Sequence, residues 1–187
     1  MMDKLLKLRN YVDNHTKRTP SFRPFDFFVK DQLGNGFLTG VEIGVNCGFH
    51  AQSLVNVLNI NRLYLVDPYC DYVDKDHVYN YEDAYREAVF RLNSFKDRVV
   101  FIKSKSHEAV ESIPDGLDFV YIDGNHDYDF VKKDIMLYYD KVRSGGVLGG
   151  HDFGIVYHGV AEAVVEFCKD YGYELNGRVG DWWIVKN

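Results

Sequence analysis

The chain has little of what specialises a small fold. Only three cysteines occur in 187 residues, Cys47, Cys70 and Cys168, and they form no CxxC pair, no zinc-ligand spacing and no even disulfide set. That excludes a disulfide scaffold and fits a reducing, cytoplasmic setting. Proline is scarce, with four in all, and the sixteen glycines are scattered as turns instead of pooled in a linker, repeat or low-complexity tract. Positive charge is short as well. The 22 Lys and Arg face 28 Asp and Glu, a formal net charge of -6 that provides no broad basic field for nucleic acid or an anionic membrane. No apolar stretch is long enough to span a bilayer, and the opening MMDKLLKLRNYVDNHTKRTP does not sustain the apolar run of a signal peptide. The expectation is a soluble, unprocessed protein with no nucleic-acid or membrane partner, acting on a small molecule or carbohydrate.

Aromatic residues are abundant, with fourteen Tyr and thirteen Phe, more than one core of this size needs. The surplus rings suit a pocket lining or a homodimer interface. At 46% hydrophobic, the length suffices for a single substantial core. Residues 1–36 read as an N-terminal helical cap of the same domain as residues 37–187: Leu5, Leu8, Tyr11 and Val12 give helical spacing over Met2 to His15, and a second helix is expected over Pro24 to Leu33. From Leu38 onward short β-rich runs alternate with helical stretches, the pattern of βαβ units around a parallel sheet. Strands are expected at Gly40–Val45, Arg62–Asp67, Val99–Lys103, Leu117–Asp123 and Gly146–His151. Helices are expected near Phe49–Leu58, Tyr81–Ser94, Lys105–Ser112, Asp127–Val142 and His158–Tyr171. Two last strands, Tyr173–Leu175 and Asp181–Val185, are too closely spaced for a parallel crossover and should pair antiparallel. The fold class is α/β: one Rossmann-like domain, a mostly parallel seven-stranded sheet with helices on both faces and an antiparallel pair at the C-terminus. Ligands of such sheets bind at the carboxyl ends of the parallel strands.

Three constellations fall at those ends. In Val41-Glu42-Ile43-Gly44-Val45-Asn46-Cys47-Gly48 a β-run opens into a GxxxG turn and then a helix, a spacing unlike the GxGxxG of dinucleotide binders. Glu42 lies inside the strand's end, where a buried carboxylate needs a partner such as a ligand cation; a tight turn with a surface Glu is the plainer alternative. Twenty-three residues beyond Gly44 the next strand ends at Asp67, placed to accept ribose hydroxyls or simply to cap a turn. The third constellation gathers Asp123 and His126, in Asp123-Gly124-Asn125-His126-Asp127, with His151 and Asp152 at the following strand end. Imidazole beside carboxylate suits a divalent cation or a near-neutral base with its orienting acid, while Asp127 suits a helix N-cap.

The segment VEIGVNCGFHA resembles the first motif of class I S-adenosylmethionine-dependent methyltransferases, especially the catechol-type and macrolide-sugar O-methyltransferases. DFVYIDGNHDYDFVKKDI through RSGGVLGGHDF is similar to the family known as methyltransferase domain type 24, and the matching motifs cover roughly Val41 to Phe153. The resemblance implies S-adenosyl-L-methionine as cofactor, with Glu42, Gly44, Asn46, Gly48 and His50 at its methionine end. Asp67 would hold its ribose, Ser106 and His107 would flank its adenine, and Asp123 would lie nearby. It further implies a divalent cation, Mg, Mn or similar, on Asp123, His151 and Asp152, with His126 as catalytic base where the catechol-type enzymes carry lysine. His151 in place of aspartate lowers the site's charge and hardness, which favours a softer ion. The implied reaction is O-methylation of a small-molecule or sugar hydroxyl. Two rivals are a metallophosphoesterase built on the GNHD string and a non-catalytic Rossmann-like binding module. Pro68 to Tyr81, polar and rich in Tyr and Asp, reads as a lid or acceptor loop or as a surface excursion.

Overall fold

The computed structural model describes residues 22–70 and 81–187. The expected helix over Met2–His15 and most of the Pro68–Tyr81 segment lie outside the described residues. The described chain runs α1 (Pro24–Leu33), β1 (Leu38–Ile43), α2 (Phe49–Val57), β2 (Ile60–Val66), α3 (Tyr81–Arg91), β3 (Val99–Ile102), α4 (Ser106–Ala109), β4 (Leu117–Ile122), α5 (Tyr128–Tyr139), β5 (Val142–Gly150), α6 (His158–Tyr171), β6 (Asn176–Arg178) and β7 (Asp181–Val185). Short 3-10 turns follow α3 and α4. The seven strands form one sheet in the order β3-β2-β1-β4-β5-β7-β6. β1 to β5 are parallel to one another, while β7 is antiparallel to both β5 and β6. The chain order reverses between β1 and β4, which is where a sheet of this kind opens a crevice at its carboxyl edge.

Period-two alternation builds two cores, one on each face. Val41, Ile43, Val120, Ile122 and Leu148 face Val131, Ile135, Val160 and Val164 of α5 and α6. Leu63, Leu65, Phe119, Tyr121 and Val147 face Phe25 and Val29 of α1 and Leu54 of α2. The same alternation sends Gly40 and Glu42 toward the α1 and α2 side, paired in register with Phe119 and Tyr121. Two glycines make that face possible. A β-carbon on Gly40 would lie 2.3 Å from the Phe119 ring, and one on Gly149 would lie 2.6 Å from the Phe25 ring, so the glycines leave room for the rings that seat α1.

Several expected boundaries shift, most of all the start of β5, which lies at Val142, four residues before the expected Gly146. The helix expected to run to Val142 stops at Tyr139, because Val142 already pairs with Leu117 and starts β5. The penultimate strand falls three residues later than expected, at Asn176–Arg178 instead of Tyr173–Leu175. Tyr173 stacks on Phe167 and shares a 2.7 Å hydroxyl contact with Tyr139, which holds its segment against α5 and α6 and out of the sheet. The hairpin then closes through Val179 and Gly180, both at positive φ (53° and 87°), the arrangement that matches a two-residue turn to strand twist. No helix among the described residues is long and apolar enough to cross a membrane.

Candidate active site

Backbone bonds carry the sheet ladder past the strand ends: Gly44 donates to Val66, Asp123 to Ile43 and His151 to Ile122. The residues immediately after β1, β2, β4 and β5 are thereby aligned along one edge. Gly44 is needed there for a backbone reason, since it sits at φ +85° and a β-carbon would lie 2.0 Å from the Asp123 carbonyl oxygen. Gly48, at φ +74°, packs against Ala88 of α3. Both glycines therefore shape the loop through protein contacts. Asp67 closes it: Oδ2 accepts the Val45 and Asn46 N–H groups, each at 2.9 Å, and Oδ1 accepts Tyr69 N–H at 2.8 Å. Three of the four non-glycine residues with positive φ among the described residues, Asn46, Tyr69 and Asp152, lie on these strand-end loops. Such strain concentrates at functional sites.

Glu42 is 1% exposed. Its Oε1 meets His50 Nδ1 at 3.1 Å, and His50 Nε2 meets Asp26 Oδ1 at 2.8 Å. Asp26 Oδ2 also accepts the Ser53 hydroxyl and the Arg23 backbone N–H. Glu42 Oε2 is buried and has no hydrogen-bond partner among the described residues. Burial pushes the Glu42 carboxyl above its ordinary range, against the opposing pull of the His50 hydrogen bond. Burial alone would lower His50, but its bonds to Asp26 and Glu42 outweigh that and raise it to about 9. A group raised on folding contributes stability fully below its unfolded pKa and loses it as pH climbs through the folded one. Glu42, also raised, acts in the same direction. Urea midpoints should therefore fall between pH 6.5 and pH 9.5 by the equivalent of as much as about 3 kcal/mol, and His50→Gln should flatten that fall.

Arg23, just before α1, donates to Asp123 Oδ2 at 2.9 Å and to the Tyr121 hydroxyl. Tyr121 donates in turn to Asp181 at 2.8 Å, and Asp181 also accepts Phe25 N–H at 3.0 Å. The N-terminus of α1 is thus fastened to β4 and β7 at the edge where Asp123 stands. Beyond it, one donor atom each from Asp123, His126 and Asp152 lie within 4.8 Å of one another. His126 Nε2 is 2.8 Å from Asp152 Oδ2, and its ring lies 4.2 Å from that of Tyr157. His151 Nδ1 approaches the other Asp152 oxygen at 3.1 Å and Asp123 Oδ1 at 4.0 Å. Burial would raise the Asp152 carboxyl, yet hydrogen bonds from His126 and His151 hold it well below the usual carboxylate range. Asp123, Gly124, His126, His151 and Trp182 line a small cleft.

The expected site residues thus divide. Glu42, Asp67, Asp123, His126, His151 and Asp152 share one edge, and His50 reaches it only through Glu42. Asn46 is exposed on the loop. The Ser106 hydroxyl is taken by Asp134 of α5 at 2.5 Å, and His107 is exposed on the same turn. Asp127 holds the N-cap position of α5, though its side chain makes no capping bond. Arg23, Asp26, Ser53, Tyr121 and Asp181 were not signalled by any motif. The available clue was an acid inside the apolar run Pro24-Phe25-Asp26-Phe27-Phe28, which burial would oblige to find a partner.

A family model for a methyltransferase domain matches residues 41–153. The chain belongs to the methyltransferase domain family. The matched part of this methyltransferase domain runs from β1 to the loop after β5, so it contains Glu42, Asp67, Asp123, His126 and Asp152 but neither Arg23 nor Asp26. An uncharacterized protein of Acanthamoeba polyphaga mimivirus is 29% identical over 136 residues, 68% of this chain and 58% of that protein. The chain thus spans little more than half the length of that relative. A Staphylococcus aureus protein described as a caffeoyl-CoA O-methyltransferase superposes with TM-score 0.67 at 16% identity, over 96% of this chain and 90% of the other. An O-methyltransferase from Bacillus cereus, solved with SAH, gives 0.63 at 17% identity over 98% and 90%. The fold is that of the class I methyltransferases.

Proposed function

We propose that this methyltransferase domain binds S-adenosylmethionine at the carboxyl edge of β1, β2 and β4 and methylates a hydroxyl of a small molecule or sugar. The observation that carries the reading is Glu42 Oε2, a buried carboxylate oxygen without a partner at the strand tip, beside the cluster of Asp123, His126 and Asp152. A buried anion of this kind calls for a cation, and the α-ammonium of the cofactor supplies one. The cofactor contributes an electrophilic methyl on a positively charged sulfur. The chain's own groups do the rest. Glu42 and the loop from Gly44 to Gly48 orient the amino-acid end, and Asp67, through the loop it closes, sets where the ribose lies. His126 takes the proton of the acceptor hydroxyl, with Asp152 fixing the ring and stabilising the imidazolium that results. Positioning the acceptor in line with the methyl accounts for much of the remaining rate.

A divalent cation fits the same edge. The mixed oxygen and nitrogen donors of Asp123, His151 and Asp152 suit manganese or a similar ion better than calcium and leave His126 as the base. Such an ion would lower the pKa of the acceptor hydroxyl and orient it. The hydrolase reading of GNHD is less well supported, since the described residues offer one group of three ligands where two metals would need more. The described part of residues 1–36, α1, acts as a cap on the domain formed by residues 37–187, in a cytoplasmic protein that can pair as a homodimer through its surplus aromatic surface.

The test is cofactor-dependent stabilisation. S-adenosylhomocysteine at a hundredfold excess over its Kd should raise Tm by about 5–10 °C, and NAD at the same concentration should not. A shift with NAD and none with S-adenosylhomocysteine would remove the reading.

A further inference from the structure

We propose that Asp26 and His50 are positioning residues that keep Glu42 ionised and hold its Oε2 toward the cationic end of the methyl donor, so that α1 is part of the cofactor site. The inference rests on the methyl-donor reading of Glu42. Both ring nitrogens of His50 lie at hydrogen-bond distance from carboxylates, Nδ1 from Glu42 at 3.1 Å and Nε2 from Asp26 at 2.8 Å. A neutral imidazole has one N–H and an ionised carboxylate has none, so the ring is an imidazolium or one carboxyl carries the proton. In both forms the three groups together hold one net negative charge.

That charge is enclosed. Asp26 and Ser53 are fully buried, Glu42 is 1% exposed and His50 5%. The Tyr121 ring lies 4.1 Å from the imidazole and closes it from the β4 side. Asp26 has the most partners, with Ser53, His50 and the Arg23 N–H all on its two oxygens. At the other end, Glu42 Oε2 is the only buried carboxylate oxygen without a partner among the described residues. The net charge is therefore left without a partner at that one atom. Two other charges act on Glu42 without bonding to it, Arg23 favouring its ionised form and Asp123 opposing it. The imidazolium is what offsets the burial that drives Glu42 toward the protonated acid. A protonated Glu42 could accept a hydrogen bond but could not balance an ammonium.

Asp26→Asn keeps the shape and removes the charge that holds the imidazolium; His50→Gln removes the imidazolium itself. The expected result by calorimetry at pH 7.5 is a loss of S-adenosylhomocysteine affinity of about tenfold or more in each variant. Affinity for 5′-methylthioadenosine, which has the nucleoside and sulfur but no amino-acid end, should stay within about twofold of wild type. Equal loss for both ligands would indicate general structural damage and overturn the positioning role, as would unchanged affinity for both. Wild-type protein that binds neither ligand would remove the methyl-donor reading itself, a result separable from the others. Nitrogen-15 NMR of the wild-type His50 ring gives a check independent of whether the variants fold. Two N–H protons at pH 7.5 are expected, and a neutral ring would overturn the inference.

Discussion

Replacing His126 with alanine is expected to lower kcat by about 10²- to 10⁴-fold on any acceptor the wild-type protein methylates, while affinity for S-adenosylhomocysteine stays within about twofold. The asymmetry follows from where the residue stands. Glu42 lies at the end of β1 and Asp67 just after β2, whereas His126 lies after β4, with its Nε2 2.8 Å from Asp152 Oδ2. That contact is the geometry of a base with its orienting acid. Because two histidines hold Asp152 ionised, its negative charge is present through the whole neutral range to stabilise the imidazolium formed when His126 takes the proton. The rise of kcat with pH in the wild type should then report His126 and vanish in the alanine variant. Asp152→Asn, which loses the orienting charge but preserves shape, should retain part of the rate. An alanine variant with wild-type kcat and an unchanged pH profile would take His126 out of the chemistry.

Much of this arrangement can be read in the sequence because it depends on short-range pattern. Alternating β-runs and helical stretches place strand ends within a residue or two, and strand ends are where Glu42, Asp67, Asp123 and His151 stand. The antiparallel closure follows from the short spacing of the last two runs. What escapes is set by contacts across the chain. Arg23 and Asp123 are 100 positions apart, Phe25 and Asp181 are 156 apart, and only the docking of α1 brings them together. The hairpin slips by three residues because Tyr173 finds better packing on Phe167 than in the sheet. His50 is the most instructive case. Its position in the first motif implies a ligand contact, but a ring with Asp26 on one side and Glu42 on the other has no nitrogen left for one.

Asp67 is expected to be the residue whose loss damages the unliganded protein most clearly among the carboxylates of the edge. Its two oxygens accept three backbone N–H groups, and two of the donors, on Val45 and Tyr69, belong to residues only 4% and 5% exposed. Asp67→Ala leaves those donors without an acceptor, and water can readily reach only Asn46. At about 1–3 kcal/mol for each buried donor left unmade, the loss is about 2–6 kcal/mol, with a fall in Tm of roughly 5–20 °C before any ligand is added. Affinity for S-adenosylhomocysteine should fall by more than about 100-fold, since the loop from Gly44 to Gly48 loses the anchor that gives it its shape. Asp67→Asn separates the two effects. Its single carbonyl oxygen can still take the Val45 and Asn46 N–H groups, but its amide then faces the Tyr69 N–H with a donor. The asparagine variant should therefore keep most of the stability and lose affinity to an intermediate degree. If alanine at this position left the unliganded Tm unchanged, the carboxylate would not be what holds the loop, and a direct role on the ribose would become its main one.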